Sequence, residues 1–203
     1  MGFLDAVLGG RKKLKGVAPD RLFAMTTAYV TMETGLGMKS AGSAGIVFQP
    51  LATADFDQIL KDAEELLHGT AQETGSTLES ADDEFGYRWI ILRDPDFEDT
   101  VVSLNTISTE LQGGGYGDRL LVAVFPFEKE TDAKDSASMP NPSRKRVYFI
   151  YNFKRGAYYP FVPGPGDKQR DSEHELRLKA QLDKELPLEE DMTRWFPLWE
   201  IPL

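Results

Sequence analysis

Histidines are the first residues to consider for acid–base or metal chemistry, and this sequence has two, His68 and His174. His68 precedes Gly69 at a predicted helix end, where an imidazole can bond the last carbonyl groups. His174 lies between Glu173 and Glu175 in a predicted first helical turn. Consecutive helical residues do not face each other, so this cluster indicates a solvated helix start more than a metal site. We expect both histidines to be structural.

The glycine and carboxylate clusters have the arrangement of turns. Residues 113–117 are rich in glycine but follow a predicted helix, whereas a phosphate-binding loop precedes one. The acidic runs 82–84 and 189–191 are contiguous, whereas catalytic carboxylate pairs are held apart across a cleft. No nucleophile elbow or zinc-protease signature is present. We predict a protein that is not an enzyme, with no catalytic residue, cofactor or metal; an enzyme using Asp or Glu in a cleft is the alternative.

Composition limits the compartment and the partners of this protein. The chain has 203 residues, a net charge of −10 and no cysteine. The acidic balance argues against a nucleic-acid partner, and the lack of cysteine fits a reducing compartment without disulfides. No apolar run approaches the ~20 residues of a membrane span. We therefore expect a cytoplasmic protein that binds no nucleic acid; its oligomeric state stays open.

The first residues of the chain combine an apolar helical face with a basic cluster. We treat residues 1–18 as an N-terminal segment and linker that precede the folded domain. This pattern suits an anionic membrane surface or an acidic partner, and it places the protein at the inner face of the cell membrane. Packing of the segment on the domain is the alternative. The predicted contact residues are Phe3, Leu4, Val7, Leu8, Arg11, Lys12, Lys13 and Lys15.

The order of predicted elements indicates an α+β fold. We expect an antiparallel sheet built from strand–strand–helix units, with helices mainly on one face. A single domain would span residues 19–203, with a mobile loop at residues 128–146 that is polar and rich in Ser and Pro. The predicted strands are residues 28–33, 44–49, 77–80, 87–92, 120–127, 147–153 and 157–162.

The predicted helices begin at polar capping residues. Thr53 and Asp94 cap two helices with similar starts, and Pro95 follows the second cap. The similarity suggests that two strand–strand–helix units arose by duplication, although caps also resemble each other by chance. Ser172 opens a third helix in a capping box with Glu175. We expect the first of these helices to end at residues 68–69 and the last to continue through residue 186.

Aromatic side chains are concentrated in the last third of the chain. A hairpin at residues 147–162 and an extended, proline-containing tail at residues 194–203 hold most of them. Part of this ring surface must be core, and an exposed remainder would form a binding surface, because Trp, Tyr and Arg dominate interface hot spots. A purely structural role is the alternative. The predicted partner patch is Lys154, Arg155, Tyr158, Tyr159, Trp195 and Trp199.

Four blocks of sequence, taken together and in order, resemble one known family. They are MGFLDAVLG at residues 1–9, GYRW at 86–89, KRGAYYPFVP at 154–163 and RWFPLW at 194–199. The set is similar to the PspA-associated protein PspAB family across nearly the whole chain, and the last two blocks are its specific parts.

This resemblance implies a cytoplasmic protein linked to a phage-shock type of envelope stress response. The implied partner is PspA, a coiled-coil protein that coats and remodels stressed membranes, and no catalytic residues come with the family. We therefore predict a non-catalytic, PspA-associated adaptor that acts near the membrane surface. A binding module of the secretion-chaperone kind, whose sheet holds an extended peptide, is the alternative.

Overall fold

The computed structural model describes residues 20–130 and 144–203. The N-terminal segment at residues 1–18, with all eight of its predicted contact residues, lies outside this part, as do residues 131–143 of the predicted loop. In chain order the elements are α1 (Asp20–Leu36), β1 (Met38–Ser40), β2 (Ser43–Phe48), α2 (Ala54–Thr74), β3 (Thr77–Asp82), β4 (Arg88–Arg93), α3 (Phe97–Gly113), β5 (Leu120–Glu130), β6 (Arg144–Asn152), β7 (Ala157–Phe161) and α4 (Ser172–Leu182).

The described strands form one seven-stranded antiparallel sheet, which confirms the α+β prediction. Its order is β3-β4-β2-β5-β6-β7, and the short β1 also pairs with β5. β5 and β6 are the longest strands and pair from Val122 with Asn152 to Glu130 with Arg144. Residues 128–130 and 144–146, which were predicted to belong to the loop at residues 128–146, are therefore parts of these strands.

The two faces of the sheet are covered by different structures. Side chains alternate along a strand, so Ala123 and Phe125 of β5 face one side while Val122 and Val124 face the other. The first side packs against the four described helices. The second packs against the C-terminal tail, residues 195–203, whose apolar side chains lie on the sheet without forming a helix or strand. The predicted placement of the helices on one face is correct.

The predicted strand at residues 28–33 is wrong, because this stretch belongs to helix α1. Leu22, Met25, Ala28 and Met32 are all buried and recur at the spacing of one helical face, whereas Val30 is 61% exposed on the other side. The β-prone residues of this stretch suggested alternation, but the longer helical period decides the structure. Tertiary burial overrides local β-propensity here.

Two helix caps also differ from the predictions. Asp96, not Asp94, caps α3 by accepting hydrogen bonds from backbone N–H groups in the first turn. Asp94 is buried and accepts a hydrogen bond from the Asp96 N–H at 2.7 Å. It therefore fixes the conformation of the backbone just before the helix. For α4 the cap is Asp171, and no capping box forms because the carboxylate of Glu175 points into the domain instead.

Helix lengths and strand pairing correct two further expectations. Helix α2 runs past residues 68–69 to Thr74, and α4 ends at Leu182 before residue 186. The described structure has two strand–strand–helix units, the first beginning with β1 in place of the predicted strand at residues 28–33 and the second with β3, and they pair differently. β1 and β2 both lie against β5, whereas β3 and β4 form a hairpin with each other. The similar helix starts therefore do not extend to a shared topology.

Candidate functional site

The described residues form a groove of about 410 Å³ between the β3–β4 hairpin and the tail. The hairpin contributes one wall and the tail the other, and a single residue comes from the loop before α4. Its lining residues are Ala81, Asp82, Asp83, Glu84, Phe85, Trp89, Lys168, Pro197, Leu198, Trp199, Glu200 and Pro202. We call this feature the hairpin–tail groove.

Asp83 organises the hairpin wall of the groove. One of its carboxylate oxygens accepts hydrogen bonds from the backbone N–H groups of Phe85 and Tyr87, both at 2.9 Å. The other accepts from the indole N–H of Trp89 at 3.3 Å. Gly86 completes the turn with φ of 79°, a conformation that glycine adopts at little cost. These hydrogen bonds therefore fix both the conformation of the turn and the orientation of the Trp89 ring.

Three aromatic rings give the groove its apolar surface. Trp89 forms the floor, with 4% of its surface exposed, and it lies opposite the small side chain of Ala81 on β3. Phe85 stands at the rim and is 54% exposed. Trp199 of the tail is partly buried and contacts the ring of Phe161 edge-on at 5.0 Å. A concave feature lined by aromatic side chains and a few polar groups is typical of a binding site.

The rim of the groove is mostly acidic. Asp82 forms an ion pair with Arg88 at 2.7 Å, and the hydrogen bond from this guanidinium lowers the pKa of Asp82. Glu84 and Glu200 make no ion pair within the described part of the chain, and Lys168 is the one cationic residue of the lining. Glu200 and Lys168 have positive φ angles of 60° and 48°. Such conformations are costly for residues other than glycine and often occur at binding sites.

The tail wall is held by hydrogen bonds that anchor it at both ends. The indole N–H of Trp195 donates to the carbonyl of Glu189 at 2.9 Å, and Arg170 donates to the carbonyl of Trp195 at 2.6 Å. At the other end Arg146 donates to the carbonyl oxygen of Leu203 at 2.8 Å. The side chain of Leu203 lies over Gly45 of β2 so closely that a Cβ there would be 3.3 Å away. The last residues therefore pack on the sheet.

A buried ion pair supports the start of the tail. Glu175 is 2% exposed and pairs with Arg170 at 2.8 Å. It also accepts from the backbone N–H of Val162 at 2.9 Å. Burial raises the pKa of Glu175, and the hydrogen bond from Arg170 opposes this shift. Because Arg170 also binds the tail, the pair links α4, the end of β7 and the tail.

The structure separates the six residues of the predicted partner patch. Tyr158, Tyr159 and Trp195 are buried, each with at most 3% of its surface exposed. β7 is covered on both faces, and Trp195 packs in the core on the tail side of the sheet. They contribute ring surface to the core. The hydroxyl group of Tyr158 donates to the carbonyl of Leu22 at 2.5 Å, which ties β7 to α1.

Lys154, Arg155 and Trp199 have different surroundings from these buried rings. Lys154 and Arg155 lie in the β6–β7 turn, where Arg155 is paired with Glu189 at 2.9 Å and desolvation lowers the pKa of Lys154. Trp199 alone of the six lines the groove. The predicted residues are therefore not brought together as one exposed surface, and their contact with a partner stays a prediction.

Sequence reasoning missed most of the groove, including Phe85, Ala81 and Lys168. The acidic run at residues 82–84 signals the turn, and the tail is recognisable as extended and aromatic. Nothing in the spacing of these segments shows that they meet, because they are more than a hundred residues apart. A phenylalanine next to an acidic run in a predicted turn, Phe85, was the available signal.

The arrangement of the groove is suited to binding a cation. Aromatic faces next to carboxylates attract cations, because the ring quadrupole and the negative charge act in the same direction. Among the described residues, no three His, Asp or Glu side chains are grouped so that they could hold a metal ion. Within the same residues, no helix has the length and apolar character needed to cross a membrane.

Comparison with known proteins identifies one family. A family model described as PspA associated protein B matches residues 1–203, the whole chain. No curated protein and no solved structure matches the chain.

Proposed function

Because this chain belongs to the PspA associated protein B family, we propose that it is a non-catalytic adaptor that binds PspA directly. It acts in a phage-shock type of envelope stress response, at the inner surface of the membrane. The family description names an association, which is the coarser part of this function. Direct binding, the adaptor role and the membrane surface are the parts that we add.

The observation that carries the proposal is the full-length family match together with an exposed aromatic groove. A match to residues 1–203 includes the basic N-terminal segment as well as the folded domain. The groove offers a partner Phe85, Trp199 and an acidic rim. A protein with a surface-binding segment and a separate partner-binding groove has the two contacts that an adaptor needs.

The membrane contact is supported by charge. Arg11, Lys12, Lys13 and Lys15 form a basic cluster in a chain with a net charge of −10. Each basic residue near an anionic surface contributes about 1 kcal/mol to binding. The short apolar stretch before the cluster adds a hydrophobic contribution, and a partner on the same membrane would strengthen the weak attachment further.

Sedimentation with anionic liposomes, with and without purified PspA, tests the adaptor proposal. We expect the full-length chain to pellet with the liposomes and to pellet more completely when PspA is present. In solution without lipid, sedimentation velocity should show a complex of the chain with PspA. If no complex forms with PspA in either setting, the adaptor proposal is wrong.

Charge reversal separates the membrane contact from the PspA contact. The triple variant Lys12→Glu/Lys13→Glu/Lys15→Glu should lose roughly a hundredfold or more in liposome affinity, because it replaces attraction by repulsion. The matched control reverses three exposed lysines of the domain, Lys39→Glu/Lys61→Glu/Lys184→Glu, for the same change in net charge. Equal loss in both variants would show that the N-terminal cluster has no special role.

A peptide-binding module of the secretion-chaperone kind is the second candidate function. The observation that favours it is the position of the hairpin–tail groove beside β3, the strand at one edge of the sheet. It predicts binding to permanently unfolded carboxymethylated α-lactalbumin in the absence of lipid and of PspA. Binding to PspA without any binding to this unfolded probe would favour the adaptor.

A further inference from the structure

Strand β3 is an open edge of the sheet. Its neighbour in the described structure is β4 alone, and the side chains of Thr77, Glu79, Ser80, Ala81 and Asp82 are exposed. An antiparallel edge strand with a neighbour on one side has unpaired backbone N–H and C=O groups on the other. Such an edge can accept an additional strand from a partner, which supplies backbone hydrogen bonds without requiring a particular sequence.

The hairpin–tail groove begins where β3 ends. Ala81 and Asp82 are the last two residues of β3 and also line the groove. Ala81 pairs with Trp89 across the hairpin, so the side of β3 that carries Ala81 is also the side of the groove floor. A strand added along β3 would therefore place one of its side chains at the groove, and its other side chains would have less to contact.

The chemistry of the groove selects a cation with an apolar stem. Phe85 and Trp199 offer ring surface, and Glu84 and Glu200 offer carboxylates that have no ion pair in the described part of the chain. Lys and Arg side chains combine a flexible apolar stem with a terminal positive charge, so they fit both parts of such a site. The guanidinium group of Arg also stacks on aromatic faces.

We propose that β3 and the hairpin–tail groove together bind an extended, basic segment of a partner protein. The segment adds as a strand along β3, and one Lys or Arg side chain enters the groove among apolar neighbours. This inference rests on the proposed function in one respect, since it takes the partner to be a protein. It adds the surface, the backbone geometry and the chemistry of the bound segment.

Charge argues against a second copy of this chain as the occupant. The chain has a net charge of −10, which opposes the close approach of two copies. On β3 itself the carboxylates of Glu79 and Asp82 are paired with Arg93 and Arg88. The local attraction for a basic strand therefore comes from Glu84 and Glu200 at the groove.

Short synthetic peptides test the binding mode. The probe is a peptide of alternating Val and Thr with a central Arg, and the matched peptide carries Glu at the centre. Binding to the full-length chain is followed by Trp fluorescence and by amide shifts in NMR. We expect the Arg peptide to bind at least tenfold more tightly than the Glu peptide, with amide shifts confined to β3 and the groove.

A backbone-modified peptide tests strand addition separately from charge. N-methylation of alternate residues on one edge of the Arg peptide removes the N–H groups that would pair with β3, and we expect it to abolish detectable binding. The peptide methylated on its other edge is the matched control and should still bind. Equal binding of both methylated peptides would overturn strand addition.

Charge variants test the groove itself. Glu84→Lys/Glu200→Lys should weaken binding of the Arg peptide by about tenfold or more, since it reverses the charge of two carboxylates at the rim of the groove. The control Glu33→Lys/Glu110→Lys makes the same change in net charge on exposed positions of α1 and α3, and it should leave binding unchanged. Lys168→Glu should tighten binding a few-fold. Equal weakening by the two double variants would overturn the assignment of the groove.

The same variants keep this inference distinguishable from the proposed function. If Glu84→Lys/Glu200→Lys binds PspA as well as the unmodified chain does, the adaptor stands and its PspA contact lies elsewhere, so the groove assignment fails for that partner. If the chain binds the Arg peptide at the groove but does not bind PspA, the groove assignment stands and the adaptor proposal fails.

Discussion

The two edges of the sheet differ in how completely they are closed. At the β7 edge the chain returns and pairs again: Tyr158 donates its N–H to the carbonyl of Pro187, and its own carbonyl accepts from the N–H of Glu189, both at 2.8 Å. All five residues of β7 are buried. At the β3 edge no such return occurs within the described residues, and most side chains are exposed.

The aromatic residues at the two edges of the sheet have different roles. The hairpin of β6 and β7 uses Tyr151, Tyr158, Tyr159 and Phe161 to fill the core on both faces of the sheet. The β3 edge leaves Phe85 exposed and places it beside a groove. Backbone groups that are already paired cannot bind a partner, so the open edge is the one suited to recognition.

The largest expected difference between the edges is in the stability effect of losing a phenyl ring. Phe161→Ala at the closed edge removes a fully buried ring that contacts Tyr148 and Trp199, and it should cost about 3 to 5 kcal/mol. Phe85→Ala at the open edge should change the free energy of unfolding by no more than about 0.5 kcal/mol. Urea denaturation measures both. A large cost for Phe85→Ala would mean that the open edge is part of the core.

A smaller difference is expected for one ion pair at each edge. Glu189 is 8% exposed and accepts hydrogen bonds from Arg155 and from the N–H of Asp191. Glu189→Gln should therefore lower the free energy of unfolding by about 1 to 2 kcal/mol. This cost already includes a reduction for the partial exposure of Arg155. Asp82→Asn at the open edge removes a more exposed pair with Arg88 and should cost less than about 1 kcal/mol. Equal costs in thermal denaturation would contradict the contrast between the edges.

The smallest expected effect is a pH dependence of opposite sign at the two edges. Burial raises the pKa of Glu175 above its ordinary value of 4.5. The contribution of Glu175 to stability is therefore complete below pH 4.5 and is lost as the pH rises through the raised pKa. The hydrogen bond from Arg88 lowers the pKa of Asp82. The contribution of Asp82 to stability is therefore present above pH 3.8, where 3.8 is the ordinary pKa, and it is lost as the pH falls through the lowered pKa.

Denaturation at a series of pH values measures these two contributions. The stability of the unmodified chain relative to Glu175→Gln should fall as pH rises from 4.5. Its stability relative to Asp82→Asn should fall as pH drops below 3.8. A relative stability that changes in the same direction for both variants would show that one of the two carboxylates has different surroundings from those described.

Local signals in the sequence predicted most of the sheet. The strands at β2, β4, β5, β6 and β7 were placed within a few residues, because β-prone runs bounded by turn residues mark strands well. Helix α1 was missed in part, because its residues 28–33 are also strand-like and only the buried stripe from Leu22 to Met32 decides between the two. The cap of α3 was predicted at Asp94 and lies at Asp96, because capping depends on backbone geometry within one or two residues.

The sequence by itself determined the α+β class, the antiparallel hairpins, the charge asymmetry and the family, because these depend on local pattern, composition and order. Only the tertiary structure decided which aromatic rings are exposed. Tyr158, Tyr159 and Trp195 are core residues, whereas Phe85 and Trp199 line a groove. The physical reason is that exposure depends on what covers each face and edge of the sheet. Here the cover is the C-terminal tail, which meets strands more than a hundred residues away.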